Sequence, residues 1–395
     1  MHSAAKPVSF FRTNCFPVSA SVLSLFLGFG TGAQAESGVS AGRILVGQSA
    51  AFSGAASILG VQMNSGIKLY FESVNAQGGV FGRKLELQAE DDMYDVSTAT
   101  ENTRELLARD KVFALFGYVG SATSEAAIPI FSKAKVPFFA PLSGSDSLRN
   151  PYNRYLFNLR ASYAQEVVYI IRQIAVTKPR SIAVFYQDDT DGKGILSSLQ
   201  LATKQANIPL VAIGRVPTDA VAADDRHIRQ AVSLFLEKKP DVILLASTYS
   251  ASAALIKELR QAGFAGQFYS LSLVGSRALS EALGKTGKGV VISEVVPSPW
   301  SPKFAIVEEY HRAMKKAGKT EFDFTSLEGF MAAKTFVQIL KQVGHELTRE
   351  KFVETAERMG TIDLGDFPVR FSPENHDGSN FIELVSIGKD GKFIH

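Results

Sequence analysis

The sequence predicts an α/β protein built from two doubly wound parallel-sheet lobes. Short apolar runs alternate along the chain with helical segments of about 10–15 residues, which is the pattern of parallel strands joined by crossover helices. Several of these runs end in glycine and hydroxyl-bearing residues rather than in a tight hairpin turn. The chain has 395 residues, of which 46% are hydrophobic, so it contains enough apolar material for two domains.

The alternation continues over nearly the whole chain. Apolar runs of strand length lie at 43–49, 85–90, 112–116, 136–140, 181–186, 210–216, 242–247, 267–271 and 290–298. Segments with helical periodicity lie at 62–75, 97–108, 126–131, 167–176, 195–207, 228–237, 251–262, 303–317, 326–343 and 349–359. In the first of these helices, Met63, Ile67 and Phe71 recur on one side.

The ends of some elements can also be predicted. The hydroxyl-rich residues 121–124 are N-cap candidates for the helix that follows them. Residues 366–371 and 381–388 are predicted to pair as a terminal hairpin, with Asp390 and Gly391 in a closing turn.

The first 35 residues have the plan of a secretory signal peptide. Lys6 and Arg12 lie in a segment without acidic residues, 16–29 is an apolar stretch, and a cleavage site of small residues ends at Ala35. The alternative is a membrane anchor, but the apolar stretch is shorter than the ~20 residues that a spanning helix needs. Cleavage would also remove Cys15, the only cysteine, so we expect an exported chain without disulfides.

Composition and motifs argue against several classes of function. Lys+Arg 42 against Asp+Glu 39 gives a formal net charge of +3, whereas a nucleic-acid-binding protein needs an excess of basic residues. The sequence has no H-E-x-x-H pair, no Walker-type phosphate loop and no G-x-S-x-G elbow. Glu90, Asp91 and Asp92 have no further ligand at metal-binding spacing, which argues against a metal site. We therefore expect no metal, no cofactor and no catalytic residue.

Two strands of the first half end in open turns. The strand at 112–116 is followed by Gly117, Gly120 and Ser121, and the strand at 136–140 is followed by small hydroxyl-bearing residues. In a doubly wound sheet, ligands bind outside the carboxyl ends of the strands. Backbone N–H groups and hydroxyls at such ends can hold an anion, so we expect a small ligand that carries a carboxylate.

These motifs resemble those of the periplasmic binding proteins of the Leu/Ile/Val-binding type, the solute receptors of ABC importers. The matching segments are Gly117-Tyr118-Val119-Gly120-Ser121, Val136-Pro137 with Ala140-Pro141, and Leu156-Phe157-Asn158-Leu159-Arg160. The resemblance extends through nearly the whole chain after residue 40. It also implies that the acids at the end of the second strand, Asp91 and Asp92, cap the helix that follows.

The resemblance implies a type I periplasmic binding protein fold. Lobe one would consist of residues 40–160 plus 297–365, and lobe two of residues 161–296 plus 366–395. Three crossings, near residues 160, 295 and 366, imply a three-strand hinge that lets the lobes close around a ligand.

The resemblance also implies a set of ligand-binding residues between the lobes. From lobe one these are Ser121, the backbone around Leu142, Ser143 and Gly144, and Tyr118 as a candidate aromatic wall. From lobe two these are Asp191, Tyr249 and Ser272. Helix capping is the alternative role for the serines of lobe one, and packing is the alternative for both tyrosines.

Two of these positions depart from the amino-acid-binding members of the family. Gly144 stands where they have a threonine that holds the ligand, so Ser143 or Ser145 would have to replace its hydroxyl. Ser272 stands where they have a glutamate that pairs with the α-ammonium group, and a neutral hydroxyl cannot supply that charge-assisted bond. Either Asp191 replaces the glutamate or the ligand has no ammonium group. Glu328, early in a predicted helix, is interpreted as a surface acid that compensates the helix dipole.

We therefore expect a periplasmic receptor that captures a branched-chain or other apolar amino acid and delivers it, as a monomer, to ABC permease subunits. An aromatic or other non-amino carboxylate is the alternative ligand, and a periplasmic sensor that acts on a signalling receptor is the alternative role. A hydrolase that uses Ser121 would need a base within about 2.6–3.2 Å, and no histidine falls in a predicted strand-end loop of the cleft.

Overall fold

The structure is a computed structural model that describes residues 1–10, 36–54, 57–217 and 225–394. Residues 1–10 are exposed and have no regular secondary structure. The apolar segment and the cleavage site of the predicted signal peptide lie outside the described residues. None of the helices in the described ranges combines the length and the apolar character needed to cross a membrane.

The first sheet consists of five parallel strands in the order β2-β1-β3-β4-β5. Its strands are β1 (Arg43–Ala50), β2 (Lys84–Asp91), β3 (Ala114–Phe116), β4 (Phe138–Phe139) and β5 (Leu156–Phe157). The helices between them are α1 (Ser57–Asn75), α2 (Val96–Ala108) and α3 (Ser121–Ala134). The strand order reverses at β1, which lies between β2 and β3, and this reversal creates a crevice at the carboxyl ends of β1 and β3.

Five parallel strands of the second sheet have the same arrangement as the strands of the first sheet, and two antiparallel strands extend it. Its seven strands are arranged as β14-β13-β10-β9-β8-β6-β7. They are β6 (Ile182–Gln187), β7 (Leu210–Val216), β8 (Val242–Ala246), β9 (Gln267–Ser270), β10 (Val291–Glu294), β13 (Glu383–Ile387) and β14 (Phe393–Ile394). The helices of this region are α4 (Tyr163–Val176), α5 (Thr190–Gln205), α6 (Arg226–Lys238), α7 (Tyr249–Gln261) and α8 (Ser276–Leu283). A second crevice therefore lies at the carboxyl ends of β6 and β8.

After β10 the chain returns to the first sheet. It forms α9 (Ala305–Lys316), α10 (Phe324–Val343), α11 (Arg349–Arg358) and a small hairpin of β11 (Thr361–Asp363) and β12 (Pro368–Arg370) before it rejoins the second sheet. The predicted fold of two α/β lobes, connected by three passages of the chain, is confirmed. The residue bounds given above for the lobes stay a prediction.

The close approach of α10 to α1 depends on two glycines. A Cβ atom at Gly66 would lie 1.9 Å from the carbonyl oxygen of Ser326, and one at Gly329 would lie 2.4 Å from that of Met63. No side chain fits at either position without moving a backbone. This approach places Glu328, the neighbour of Gly329, inside the protein.

The predicted terminal hairpin is wrong. Residues 366–371 do not pair with 381–388; instead, β12 pairs antiparallel with β11, and β13 pairs antiparallel with β10. β10 would otherwise be the edge strand of the parallel part of the sheet, and β13 satisfies its exposed backbone groups. The predicted closing turn is present between β13 and β14, where Gly391 N donates to Gly388 O.

Several helix starts also differ from the prediction. The N-cap of α3 is Gly120, with φ of 97°, so residues 121–124 lie in the first turn rather than before it. Asp95, and not Asp91 or Asp92, caps α2 by accepting a hydrogen bond from Thr98 N at 2.8 Å. Helix α8 was not predicted, because its eight residues are too few to show a clear period.

A cluster of phenylalanines fills the space between the first sheet and the helices that follow β10. The ring of Phe336, on α10, lies 5.1 Å from that of Phe116, 5.4 Å from that of Phe139 and 4.9 Å from that of Phe352. Phe336 is fully buried. The cluster therefore fixes α10 to the sheet, which in turn fixes the position of Glu328.

Replacement of this central ring tests the packing. Phe336→Ala should lower the free energy of unfolding by about 3–5 kcal/mol, because it removes buried apolar surface and leaves a cavity. Urea denaturation followed by circular dichroism measures the loss. Phe81→Ala is the matched control, since Phe81 is 41% exposed and should cost far less. Equal losses for the two variants would contradict the assignment of Phe336 to the core.

Candidate functional site

A cavity of about 340 Å³ lies where the carboxyl ends of the two sheets face each other. Small-ligand sites have volumes of about 300–1,000 Å³, so this cavity suits a small solute. Its apolar walls are Ile58, Leu59, Leu142, Leu273, Val274 and Phe324. Three aromatic rings, those of Tyr94, Tyr163 and Tyr249, complete the lining. The cavity therefore lies at the two crevices expected where the strand order of each sheet reverses.

The buried guanidinium of Arg160 connects several elements around the cavity. Its Nη2 atom is 3.7 Å from Glu166 Oε1 on α4, and its Nη1 atom is 3.6 Å from Glu328 Oε2 on α10. Nη2 also donates a hydrogen bond to Ser272 Oγ. Arg160 is 3% exposed. Burial alone would lower its pKa, but Glu328 and the other nearby carboxylates raise it overall, so the guanidinium stays charged.

Glu166 is the buried acceptor that orders the loop after β9. Its Oε2 accepts from Ser272 N at 2.9 Å and from Ser293 Oγ at 2.5 Å, while its Oε1 accepts from Ser272 Oγ at 2.8 Å. Burial raises the pKa of Glu166, whereas Arg160 and these hydrogen bonds oppose the increase. Both donors of Ser272 are therefore already used within the protein.

Two further buried carboxyl groups line the cavity. Glu294, at the end of β10, is 3% exposed and accepts a hydrogen bond from Ser276 Oγ. Burial raises the pKa of Glu294 well above its usual range, and the neighbouring Glu166 and Asp323 add to the increase. Burial also raises the pKa of Glu328, although Arg160 opposes it. One guanidinium thus lies near three carboxyl groups.

Asp191 is the acidic side chain of the cavity lining that has an unused acceptor among the described residues. It lies in the first turn of α5, lines the cavity, and its Oδ1 atom is buried without a hydrogen-bond partner among the described residues. Burial raises the pKa of Asp191 to about 7; Asp189 and Glu125 add to the increase, and Ser121 and Arg160 oppose it. A buried acceptor of this kind normally requires a donor.

The predicted rim of lobe one is largely satisfied by its own groups. The hydroxyls of Ser121 and Ser143 share a hydrogen bond of 2.5 Å, and Leu142 N donates to Tyr118 O at 2.7 Å. Leu142 lines the cavity, whereas Ser121 and Ser143 are buried and do not line it. A ligand contact by either serine stays a prediction.

Gly144 leaves space for the ring of Tyr163, a cavity-lining residue that the sequence analysis did not predict. A Cβ atom at Gly144 would lie 2.4 Å from Cδ1 of Tyr163, and Tyr163 N donates to Gly144 O at 2.8 Å. Gly144 itself does not line the cavity, but Tyr163 does. The absence of a side chain at Gly144 therefore leaves room for an aromatic wall of the cavity.

The prediction that Tyr118 forms an aromatic wall is wrong. Tyr118 is fully buried and does not line the cavity. Its hydroxyl lies 3.0 Å from Thr103 Oγ1 and its ring packs against Phe138 with 4.9 Å between centroids. Tyr118 is a core residue because β3 has ended and its side chain points to the face covered by α2 and α3.

Tyr249 and Ser272, the other predicted residues of lobe two, do line the cavity. Tyr249 is the first residue of α7, and Ser272 begins a short 3-10 helix after β9. Direct contact of either side chain with a ligand stays a prediction.

The interpretation of Glu328 as a surface acid is wrong. It is buried and lines the cavity, because α10 packs against α1 through Gly329. Glu166 and Glu294 were missed for the same reason: their burial depends on tertiary packing. A weak signal existed for Glu166, which stands next to the apolar face of a strongly amphipathic helix.

The fold and the cavity define a two-lobed α/β binding protein. The chain belongs to the periplasmic binding protein family, whose model matches residues 43–392. This is a family of solute-binding proteins.

Three similar proteins illustrate the relationship. Leu/Ile/Val-binding protein homolog 7 of Brucella abortus is 27% identical over 330 residues, which cover 78% of this chain and 80% of that protein. The structure of a possible leucine/isoleucine/valine-binding protein from Rhodopirellula baltica has a TM-score of 0.83 and 28% identity, and covers 90% of this chain and 97% of that chain. A fatty acid ABC transporter substrate-binding protein from Thermomonospora curvata shares the fold with a TM-score of 0.79 and 20% identity, over 91% of this chain and 93% of that chain.

The need for glycine at position 144 can be tested directly. Gly144→Ala should lower the free energy of unfolding by about 1–3 kcal/mol, because the added methyl group displaces the Tyr163 ring. Gly194→Ala is the control: it lies on α5, its added methyl group would have no atom within 4 Å, and alanine favours a helix. Urea denaturation measures both variants. A Gly144→Ala protein as stable as the unmodified protein would show that the ring does not require this space.

The role of Glu166 gives a second prediction. Glu166→Ala should lower the free energy of unfolding by about 3–5 kcal/mol, because it removes one partner of the buried Arg160 and leaves the donors of Ser272 and Ser293 without their acceptor. The control is Glu101→Ala, which removes an exposed pair of 3.5 Å with Arg104 and should cost less than about 1 kcal/mol. Similar losses in the two urea titrations would contradict a structural role for the buried pair.

Proposed function

We propose that this protein is an extracytoplasmic solute receptor of an ABC importer. It captures a small solute that has an apolar body and an amino group, closes its lobes around that solute, and presents the closed form to the permease. Apolar amino acids combine these features. In this proposal the signal peptide is cleaved and the protein acts as a monomer in the periplasm.

The observation that carries the proposal is the combination of buried acids and apolar walls in one cavity. Asp191, Glu294 and Glu328 line it together with aliphatic and aromatic side chains. An ammonium group can donate charge-assisted hydrogen bonds to such carboxylates, while the walls bury an apolar side chain. The family and the relatives named for Leu/Ile/Val binding support the same class of solute.

The alternative ligand, a carboxylate without an amino group, has less support. Its charge would enter a cavity lined by several acidic groups, and like charges at close range repel each other. Arg160, the one guanidinium in the lining among the described residues, already lies between Glu166 and Glu328. Asp191 can replace the glutamate that is absent at position 272.

A thermal-shift panel tests this proposal on the mature protein after removal of bound solutes. Leucine, isopentylamine and isocaproate share one branched apolar body, and phenylalanine, phenethylamine and hydrocinnamate share one aromatic body. Members with an amine should raise the melting temperature, since a ligand at a hundred times its Kd stabilises the folded state by about 2.7 kcal/mol. Shifts with isocaproate or hydrocinnamate alone would contradict the amine requirement. No shift with any member would contradict a small apolar solute.

Asp191→Asn tests the residue that should hold the amine. The variant should lose the shifts given by the amine-bearing compounds. Without ligand it should melt at the same or a higher temperature at neutral pH, because Asp191, with its pKa near 7 in place of the usual 3.8, makes folding less favourable as the pH rises through that range.

The matched control is Asp188→Asn. Asp188 pairs with Lys193 at 3.0 Å and with Arg215 at 3.2 Å, and it does not line the cavity. This variant should keep every ligand shift. If Asp191→Asn also keeps them, Asp191 does not hold the amine.

A further inference from the structure

The cavity contains more acidic than basic groups. Its lining includes Asp189, Asp191, Glu294 and Glu328. Arg160 is the one basic side chain in the lining among the residues that the structure describes. The charge balance of the site is therefore negative whenever these acids are ionised.

The two terminal nitrogens of Arg160 are engaged within the protein, and only its Nε atom has no hydrogen-bond partner among the described residues. Glu166 and Glu328 lie within 3.7 Å and 3.6 Å of its two terminal nitrogens. When both carboxylates are ionised, their combined negative charge exceeds the single positive charge of the guanidinium. Glu294 is also close enough to raise the pKa of Arg160. A ligand carboxylate near Arg160 would therefore meet carboxylates as well as the guanidinium.

Several of the groups expected to hold a carboxylate in lobe one are also engaged. Gly120 N donates to Leu142 O at 3.2 Å, and Leu142 N donates to Tyr118 O at 2.7 Å. Ser143 Oγ accepts from Ser145 N at 3.1 Å and shares a hydrogen bond with Ser121 Oγ. A ligand carboxylate would have to break these bonds to gain its own.

One acceptor, in contrast, has no partner. Asp191 lines the cavity, and its Oδ1 atom is buried and accepts no hydrogen bond from the described residues. The acids are not grouped for a metal ion either, since the described residues contain no cluster of three or more potential metal ligands. An organic cation satisfies this acceptor, because an ammonium group supplies both the missing donor and the missing charge.

From these contacts we infer that the ligand carries a net positive charge: it is an apolar amine, or an amino acid whose carboxylate is masked as an amide, rather than a free zwitterionic amino acid. This inference rests on the proposed solute-receptor function and specifies the charge of the solute. The ammonium group lies at Asp191, and the apolar body lies against the aliphatic and aromatic walls.

Binding of such a ligand should release a proton. The raised pKa of Asp191 means that part of the population is protonated in the ligand-free protein near neutral pH. The charged groups that act on it are Asp189, Glu125 and Arg160, with Ser121 as a hydrogen-bonding neighbour. Entry of an ammonium group favours the ionised carboxylate, and the displaced proton passes to solvent.

The first test compares head groups on one apolar body. Isothermal titration calorimetry of leucine, leucinamide, isopentylamine and isocaproate should give Kd values at least about tenfold lower for leucinamide and isopentylamine than for leucine, a difference of about 1.4 kcal/mol. Isocaproate should not bind. Leucine binding as tightly as leucinamide would overturn the inference while leaving the proposed function intact. Failure of all four compounds, together with the aromatic series above, would contradict the proposed function itself.

The second test uses pH. Isopentylamine keeps its charge because an alkylammonium group titrates near ~10, like lysine. Its affinity should therefore rise about tenfold from about pH 6 to about pH 8, as a group with a pKa near 7 becomes ionised. Asp191→Asn should remove both the binding and this rise, and Asp188→Asn should keep both. An affinity that is constant or falls with pH would contradict the assignment of the ammonium group to Asp191.

Discussion

The buried contact between Arg160 and its acidic neighbours is the interaction on which the arrangement of the site depends. Arg160 follows β5, where the chain leaves the first sheet, Glu166 lies on the first helix of the second lobe, and Glu328 lies on the helix that packs against α1. The three side chains thus come from both lobes and from the connection between them. Burial of these charges is unfavourable unless each is paired, so the pairing requires a particular placement of all three elements.

The serine hydrogen bonds extend this constraint into the second sheet. Glu166 accepts from Ser272 and Ser293, and Glu294 accepts from Ser276. The segment after β9, strand β10 and the start of α8 are consequently held by buried carboxylates, of which Glu294 also lines the cavity. Binding groups and supporting groups share one network, and a change at one of them should affect both stability and ligand affinity.

The excess of buried carboxyl groups affects both the stability of the protein and the charge of the ligand that it favours. Carboxyl groups with raised pKa values make the ligand-free protein less stable as they ionise. The same groups favour a cation, because the ligand supplies the charge that the protein lacks. Asp191 illustrates this exchange most clearly, since its buried oxygen has no partner among the described residues.

Much of the fold could be predicted from the sequence because it depends on local patterns. Apolar runs and helical periods located β1–β4, β6–β10, β13 and ten of the α-helices, whereas β5 and β14 were not predicted as strands. The pairing of β13 with β10 could not be predicted, because it depends on which sheet edge is free.

The candidate site was only partly predictable. Asp191, Tyr249 and Ser272 were expected from the family resemblance, and all three line the cavity. Glu166, Glu294 and Glu328 lie in ordinary helical or strand sequence, and only the packing of α10 and the second sheet buries them. Tyr118 has the same strand-end position as true lining residues, but its side chain points into the core. The direction of a side chain after a strand end is a tertiary property.

A crystal structure of the mature protein with isopentylamine would test the central claim, that buried acids recognise the ligand, most directly. The account predicts the ligand nitrogen at about 2.7–2.9 Å from a carboxylate oxygen, with Asp191 Oδ1 as one acceptor and the apolar end against Leu59 and Phe324. A nitrogen that points to solvent, with the acids still paired only to one another, would contradict it.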